Sequence, residues 1–245
     1  MSPSPRRVLV TGGAVGIGAA TARALAPESR LLVLYNHSRA AAESLAESLA
    51  DSAVDVRAVQ ADLTTDRGCE ELHEAARTYF GALEVLVNNA GGMIERQSVG
   101  ELTWQHLVDT FALNALSTMR LTSLCRGLLE SGNGACVVNV TSIAMRHGAP
   151  SATAYGAAKA AVDAFTRGAA KELAPIRVNA VAPGMIDTAF HDRVTSEAQM
   201  RQFVEATPLK SLGSPEMVAQ TIKFVIENEF MTGETVDCNG GLFMR

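Results

Sequence analysis

Short, uninterrupted apolar runs alternate along the chain with longer stretches in which apolar residues recur every three or four positions. The runs Arg7–Thr11, Arg30–Tyr35, Val54–Gln60, Leu83–Asn88, Ala135–Val140, Ile176–Val181 and Glu234–Cys238 read as β-strands. Between them, Gly16–Ala26, Ser38–Leu49, Thr65–Phe80, Thr103–Leu129, Thr153–Leu173 and Pro215–Glu227 read as helices, the first stopped by Pro27. The stretch from the sixth strand to about Thr207 reads as irregular. Runs that do not alternate with polar residues suit strands covered on both faces. Strand–helix alternation predicts right-handed crossovers and a mostly parallel sheet. No linker or internal repeat divides the chain, so the expectation is one doubly wound α/β domain over residues 1–245, seven strands with helices on both faces. In such a sheet, ligands gather beyond the carboxyl ends of the strands, where the strand order reverses.

Composition narrows the function classes. With 47% hydrophobic and 19% charged residues over 245 positions, the chain can bury a core without disulfides or a structural metal. A net charge of −5 argues against a nucleic-acid partner. Cys69, Cys125, Cys136 and Cys238 form no CxxC pair and read as reduced thiols. No apolar segment resembles a signal peptide or a membrane span, so a cytoplasmic protein with no membrane partner is expected. The five histidines show no HExxH-type spacing, so no catalytic metal is expected.

Directly after the first strand stands Thr11-Gly-Gly-Ala-Val-Gly-Ile-Gly18. Glycine lets the backbone approach a ligand closely, and the helix that follows turns its free N–H groups and positive dipole end toward the turn. An anion such as a pyrophosphate is stabilised there. No Gly-Lys-Ser/Thr follows, which disfavours an NTPase. The second strand ends Tyr35-Asn36-His37-Ser38-Arg39, without the acid that takes the ribose 2′-hydroxyl of NAD. Asn36 and Ser38 can donate hydrogen bonds, and Arg39 can pair with a 2′-phosphate. NADP(H) is therefore the preferred cofactor and NAD(H) the alternative, in which Arg39 is only a solvated residue in a first helical turn.

Tyr155 and Lys159 share one helix face, about 6 Å apart along the axis. A lysine near a phenol favours the phenolate, and such a tyrosine can move a proton at a carbonyl or alcohol oxygen. Ser142 ends the fifth strand, where its hydroxyl can bind the same oxygen. Asn88-Asn89-Ala90-Gly91 ends the fourth strand, and Asn114 lies within the next helix, where a buried amide needs partners such as a water leading to Lys159.

Taken together, Thr11-Gly12-(x)3-Gly16-Ile17-Gly18, Asp62-Leu63, Asn88-Asn89-Ala90-Gly91, Asn114, Ser142, Tyr155-(x)3-Lys159, Asn179, Pro183-Gly184, Thr232-Gly233 and Asn239-Gly240-Gly241 run in order over nearly the whole chain. This set resembles the short-chain dehydrogenase/reductase family, with a closest likeness to its 3-oxoacyl-carrier-protein reductase-like branch. The resemblance implies a Rossmann-type fold and hydride transfer between a nicotinamide and a carbonyl or alcohol carbon. Tyr155 would be the general acid or base, and Lys159 would bind the nicotinamide ribose and lower the tyrosine pKa. Ser142 would orient the substrate, and Asn114 would hold a relay water. Asp62 with Leu63 would meet the adenine, Asn89, Ala90 and Gly91 the adjacent ribose, and Pro183, Gly184, Ile186 and Thr188 the nicotinamide. A homotetramer, or a homodimer, built through the helices from Thr103 and Thr153 is also implied.

Two segments depart from the family pattern, Ala174–Arg177 and Ile226–Thr232, both shorter than usual and both expected in surface loops. Met185–Thr207 is expected to form a substrate lid carrying Phe190, His191, Arg193 and Arg201, or else an amphipathic helix with solvated charges. Met93, Arg96, Met145 and His147 are further pocket candidates, whereas His37, His73 and His106 are assigned no role. The leading expectation is an NADPH-dependent 3-oxoacyl or ketone reductase. The alternatives are an NAD-dependent sugar or polyol dehydrogenase and, more remotely, a non-catalytic nucleotide-sensing protein.

Overall fold

The computed structural model describes residues 5–27, 29–53, 55–188 and 196–244. In chain order the elements are β1 (Arg6–Val10), α1 (Gly16–Leu25), β2 (Ser29–Tyr35), α2 (Arg39–Leu49), β3 (Asp55–Gln60), α3 (Asp66–Phe80) and β4 (Val85–Asn88). There follow α4 (Trp104–Phe111), α5 (Ser117–Glu130), β5 (Cys136–Val140), α6 (Ala144–His147), α7 (Thr153–Glu172), β6 (Arg177–Pro183), α8 (Glu197–Ala206), α9 (Pro215–Glu227) and β7 (Thr235–Cys238). The strands form one seven-stranded sheet in the order β3-β2-β1-β4-β5-β6-β7. Every pairing is parallel, so the sheet is parallel throughout rather than mostly so.

The continuous apolar strand runs are explained by two cores, one on each face. In β1, Val8 and Val10 point to one face while Leu9 points to the other. The first face is filled by Ala22 and Leu25 of α1, Leu45 and Leu49 of α2, and Ile222 and Val225 of α9. The second is filled by Leu72 and Ala76 of α3, Leu121 and Leu128 of α5, and Ala169 of α7. Strand residues of both parities are therefore buried, as a doubly wound sheet requires. The order reverses between β1 and β4, where Val8–Val10 pair with Val85–Val87, and the crevice beyond their carboxyl ends is the switch point.

Two expectations are refined. The long helix expected from Thr103 to Leu129 is present as one continuous run from Trp104 to Glu130, with a π-helical turn over Ala112–Leu116 inside it that separates α4 from α5. Asn114 sits in that turn and its Nδ2 donates to the Thr110 carbonyl at 3.0 Å, so a side chain takes an oxygen of the backbone ladder. The stretch after β6 contains α8, the amphipathic helix given as the alternative for Met185–Thr207, opened by a capping box in which Ser196 accepts from Gln199 N and Gln199 reaches back to Ser196 N. Its apolar stripe, Met200, Phe203 and Val204, is short and only half-buried. Phe190, His191 and Arg193 of the expected lid, and Val54 at the start of the third strand, lie outside the described residues. Among the described residues no helix is long and apolar enough to cross a membrane, and no three His, Cys, Asp or Glu side chains cluster as metal ligands.

Candidate active site

The glycine turn spans the switch point from β1 into α1. Gly12 and Gly16 take φ of +58° and +52°, a region L side chains rarely adopt. At the start of α1, Val15 offers no side-chain cap and the first turn holds no acid, so the N–H groups and positive end are left for an anion. Thr11 is placed differently from a ligand contact. Its buried hydroxyl accepts from Asn89 N and Ala90 N, each at 2.9 Å, and donates to Val87 O at 3.3 Å. The Asn89 amide donates to Thr11 O and Gly12 O, both at 3.0 Å. Thr11 and Asn89 thus lock the ends of β1 and β4 together and fix the turn.

At the ends of β2 and β3, Asp62 Oδ1 accepts from Thr64 N, Thr64 Oγ1 and Asn36 Nδ2, at 3.0, 2.8 and 3.4 Å. Asn36 and Asp62 are therefore brought together. Leu63 packs its side chain into the core. Ser38 precedes α2 without capping it, and Arg39 opens that helix. The Arg39 side chain is 74% exposed and pairs with Glu43 one turn on, at 2.8 Å.

The four residues expected to do chemistry converge beyond β4 and β5. The Tyr155 phenol lies beside the Ser142 hydroxyl. Burial pushes the phenol above its ordinary pKa, and the Ser142 hydroxyl pulls it back. Lys159, 3% exposed, donates from Nζ to Val140 O at 2.8 Å and lies 5.9 Å from the Tyr155 ring centroid. Burial pushes its ammonium down to about 8. Desolvation is the largest cause of the shift at both groups.

Asn114 is buried and its amide is occupied. Oδ1 accepts from Gly92 N at 2.8 Å, and Nδ2 donates to Gly92 O at 2.8 Å as well as to Thr110 O. This side chain fastens the segment after β4 to the π turn. Gly91 lies between the two functional groups: a Cβ there would stand 2.8 Å from Asn114 Oδ1 and 2.9 Å from Lys159 Nζ. On the far side, Pro183 ends β6, Gly184 N donates to Cys238 O at 2.9 Å, and Ile186 is buried. Thr188 reaches the glycine turn, its methyl 3.4 Å from a Cβ built on Gly16. The two halves of the sheet thus close around one groove. Its uncapped helix end and glycine-lined floor suit an anionic dinucleotide.

Sequence reasoning missed two features. Asn88 Nδ2 donates to Thr122 Oγ1 and Asn139 Oδ1, and Asn139 Nδ2 donates to Thr166 Oγ1, at 3.0, 2.9 and 2.9 Å. This buried polar chain ties β4 and β5 to α5 and α7, the elements flanking Asn114 and carrying Tyr155. Asn139 inside an apolar strand was the available signal. The second feature is a crevice beside Tyr155 lined by Met93, Gln97, Leu102, His106 and Thr110 among others. His106, assigned no role, is part of it, whereas Arg96, Met145 and His147 are not.

Comparison with known proteins agrees with this geometry. A family described as enoyl-(acyl carrier protein) reductase matches residues 12–243. The chain is 34% identical over 241 residues to a 7alpha-hydroxysteroid dehydrogenase of Bacteroides fragilis, covering 96% of this chain and 93% of that one. It is 35% identical over 246 residues to a 3-oxoacyl-[acyl-carrier-protein] reductase of Synechocystis sp., covering 96% of each. A short-chain dehydrogenase from Burkholderia cenocepacia, solved in complex with NADP, superposes with a TM-score of 0.90 at 28% identity over 98% of both chains. With the switch-point groove and the Ser142, Tyr155 and Lys159 cluster, these matches establish that the chain belongs to the short-chain dehydrogenase/reductase family of oxidoreductases, which act on CH–OH and ketone groups with a nucleotide cofactor.

Proposed function

We propose that the chain is an NADPH-dependent carbonyl reductase acting on a 3-oxoacyl thioester or another ketone. The observation that carries this reading is the Tyr155 phenol beside Ser142, with the buried Lys159 Nζ 5.9 Å from its ring. The glycine turn and the α1 N-terminus would hold the pyrophosphate. Asp62, Leu63, Asn89, Ala90 and Gly91 would meet the adenosine end, and Asn36, Ser38 and Arg39 the 2′-phosphate. Tyr155 and Lys159 would hold the nicotinamide ribose, with Pro183, Gly184, Ile186 and Thr188 around the ring. When bound, the dihydronicotinamide supplies a hydride for the carbonyl carbon.

The chain's own groups handle the oxygen and the proton. Ser142 donates to the carbonyl oxygen and fixes its position beside Tyr155. Tyr155 gives its phenolic proton to that oxygen as the alcohol forms. Lys159 is held by Val140 O behind the tyrosine, where its positive charge favours the transient phenolate. Asn114 keeps the Gly91–Gly92 backbone in place beside Lys159. In the oxidative direction the same groups run in reverse. Residues 1–245 would act as one catalytic domain in a cytoplasmic homotetramer, and Trp104, Val108 and Leu116, exposed on α4 and the π turn, supply apolar surface for assembly.

A second reading, an NAD-dependent sugar or polyol dehydrogenase, is favoured by the Arg39–Glu43 pair, which already occupies the cation meant for a 2′-phosphate. Titration of NADPH and NADH, followed by energy transfer from Trp104 and the tyrosines, separates the two. At least tenfold tighter NADPH, about 1.4 kcal/mol, is expected. Tighter NADH overturns the cofactor assignment. Tyr155→Phe is expected to lose turnover while keeping most of its cofactor affinity, since the glycine turn and Lys159 remain, and retained turnover would remove the mechanism.

A further inference from the structure

Ser142 leads through Ile143 into α6, a single turn over Ala144–His147 in which no residue is fully buried. A helix this short does not hold itself together, so its place has to come from tertiary contacts. At its start it hangs from the serine. Ala144 N donates to Ser142 Oγ and Met145 N to Ser142 O, both at 3.2 Å, and Ile143 N donates to Pro183 O of β6 at 2.9 Å. The Ser142 hydroxyl accepts from Ala144, which leaves its own proton free to donate. Toward α7, the Ala144 carbonyl oxygen would stand 2.9 Å from a Cβ built on Gly156, the residue after Tyr155. A shift of α6 is therefore felt at both Ser142 and Tyr155.

At its end α6 is held by charge. Arg146 Nε donates to Asp237 Oδ1 at 3.0 Å, and each side chain is only 17% exposed. Asp237 lies on β7, the edge strand of the sheet, opposite Ala182 of β6. The neighbouring Arg146 Nη2 is shielded from solvent without a hydrogen-bond partner among the described residues. Loss of Asp237 would therefore leave a desolvated cation poorly compensated. A second carboxylate feels the same charge. Asp163 of α7, 8% exposed, accepts from Thr235 Oγ1 of β7 and from Arg167 Nη1, both at 2.6 Å. Burial pushes its carboxyl up, but Thr235, Arg167 and the charge of Arg146 hold it below the usual carboxylate range. Arg146 thus answers to aspartates from two elements, β7 and α7, at the far end of the turn that follows Ser142.

We propose that Arg146 and Asp237 are positioning residues for catalysis: their ion pair pins the one-turn helix α6 to the edge strand β7 and so holds the Ser142 hydroxyl against Tyr155. The proposal rests on the carbonyl reductase reading, in which Ser142 orients the substrate oxygen. Neither residue is placed among the groups that meet substrate or cofactor, and both act through Ser142. A turn of four residues has no internal ladder to resist movement at its end. Freeing Arg146 therefore loosens the Ala144 and Met145 amides from Ser142 before it disturbs the sheet. Strand β5 keeps its parallel pairing with β4 and β6 and its apolar packing on both faces.

The test is a double-mutant cycle with Ser142, read as kcat for NADPH-dependent reduction of the N-acetylcysteamine thioester of acetoacetate. Asp237→Asn, which keeps the shape, and Arg146→Met, which keeps the stem, should each lower kcat about ten- to hundredfold with the Michaelis constant for NADPH unchanged. In a Ser142→Ala background either change should lower kcat by less than about twofold, because an effect that works through Ser142 is not lost twice. Equal losses in the two backgrounds, or wild-type kcat in both single variants, overturn the proposal. If the thioester is not reduced, that failure belongs to the reductase reading, and the pair is judged without turnover. Hydrogen exchange followed by NMR should show the Ala144 and Met145 amides of Asp237→Asn exchanging about tenfold faster than in the wild type, with Val138 of β5 unchanged. Unchanged exchange at Ala144 and Met145, or an acceleration that reaches Val138 equally, overturns it.

Discussion

Burial pushes both Tyr155 and Lys159 toward their neutral forms, which keeps the phenol protonated, as a proton donor in reduction requires. A lysine moved from 10.5 to about 8 carries a penalty of about 3 kcal/mol when charged. Between these values the unfolded chain binds the proton and the folded chain does not, so this contribution to stability rises with pH from 8 to 10.5 and is unfavourable in full below 8. Lys159→Met should remove it. Relative to that variant, the cofactor-free wild type should gain up to about 3 kcal/mol in chemical denaturation between pH 7.5 and 10.5. A pH-independent difference would show that the ammonium is solvated. Tyr155→Phe should lower kcat by about 10²–10⁴, the usual range for a general acid, with most of the cofactor affinity kept. Arg39→Ala should raise the Michaelis constant for NADPH far more than for NADH, and equal effects would make Arg39 a bystander. The Tyr155 and Lys159 spacing was legible because four residues make one helical turn. The direction of their pKa shifts was not, because burial depends on what the rest of the chain stacks above them.

At the scale of elements, the segment between β4 and α4 shows how a motif works through backbone fit. Gly91 is flanked by Asn114 Oδ1 and Lys159 Nζ so closely that Gly91→Ala must displace one of them. That variant should lose turnover at least as severely as it loses cofactor binding, and near-normal kcat would mean that the contact relaxes without cost. The Asn88–Asn139 chain makes a separate prediction. Asn88→Ala leaves Asn139 Oδ1 without its Asn88 donor in a buried setting and should lower unfolding free energy by about 1–3 kcal/mol in urea denaturation. The helices were readable from their periodic apolar faces and the strands from short runs buried on both sides. The π turn at Ala112–Leu116 was not, since it goes with Asn114 bonding outward to Gly92 and backward to Thr110. Helix α8 was legible only as an alternative, because its stripe of Met200, Phe203 and Val204 is short and half-buried.

For the whole molecule, the parallel order β3-β2-β1-β4-β5-β6-β7 brings residues more than 170 positions apart to one groove, as Gly16 and Thr188 illustrate. The surface of α4 and the π turn is the place to test assembly. Trp104, 80% exposed, Val108 and Leu116 are exposed apolar residues of α4 and the π turn. The protein should sediment as a tetramer of its 25.8 kDa chain, and Trp104→Glu should shift it toward smaller species. A wild-type monomer would place the Trp104 surface outside any assembly.

By itself, the sequence determined the alternation of strands and helices, the doubly wound class, and the identity of the glycine turn and the Ser142, Tyr155 and Lys159 set. These rest on local periodicity and on spacing within single elements, which the chain carries in its order. The tertiary structure decided which polar groups are spent on the scaffold. Thr11 and Asn89 were drawn into it, fastening the ends of β1 and β4 together. Hydrogen-bond partners in a buried groove come from elements far apart in sequence, so their assignment exists only once the sheet has brought those elements together.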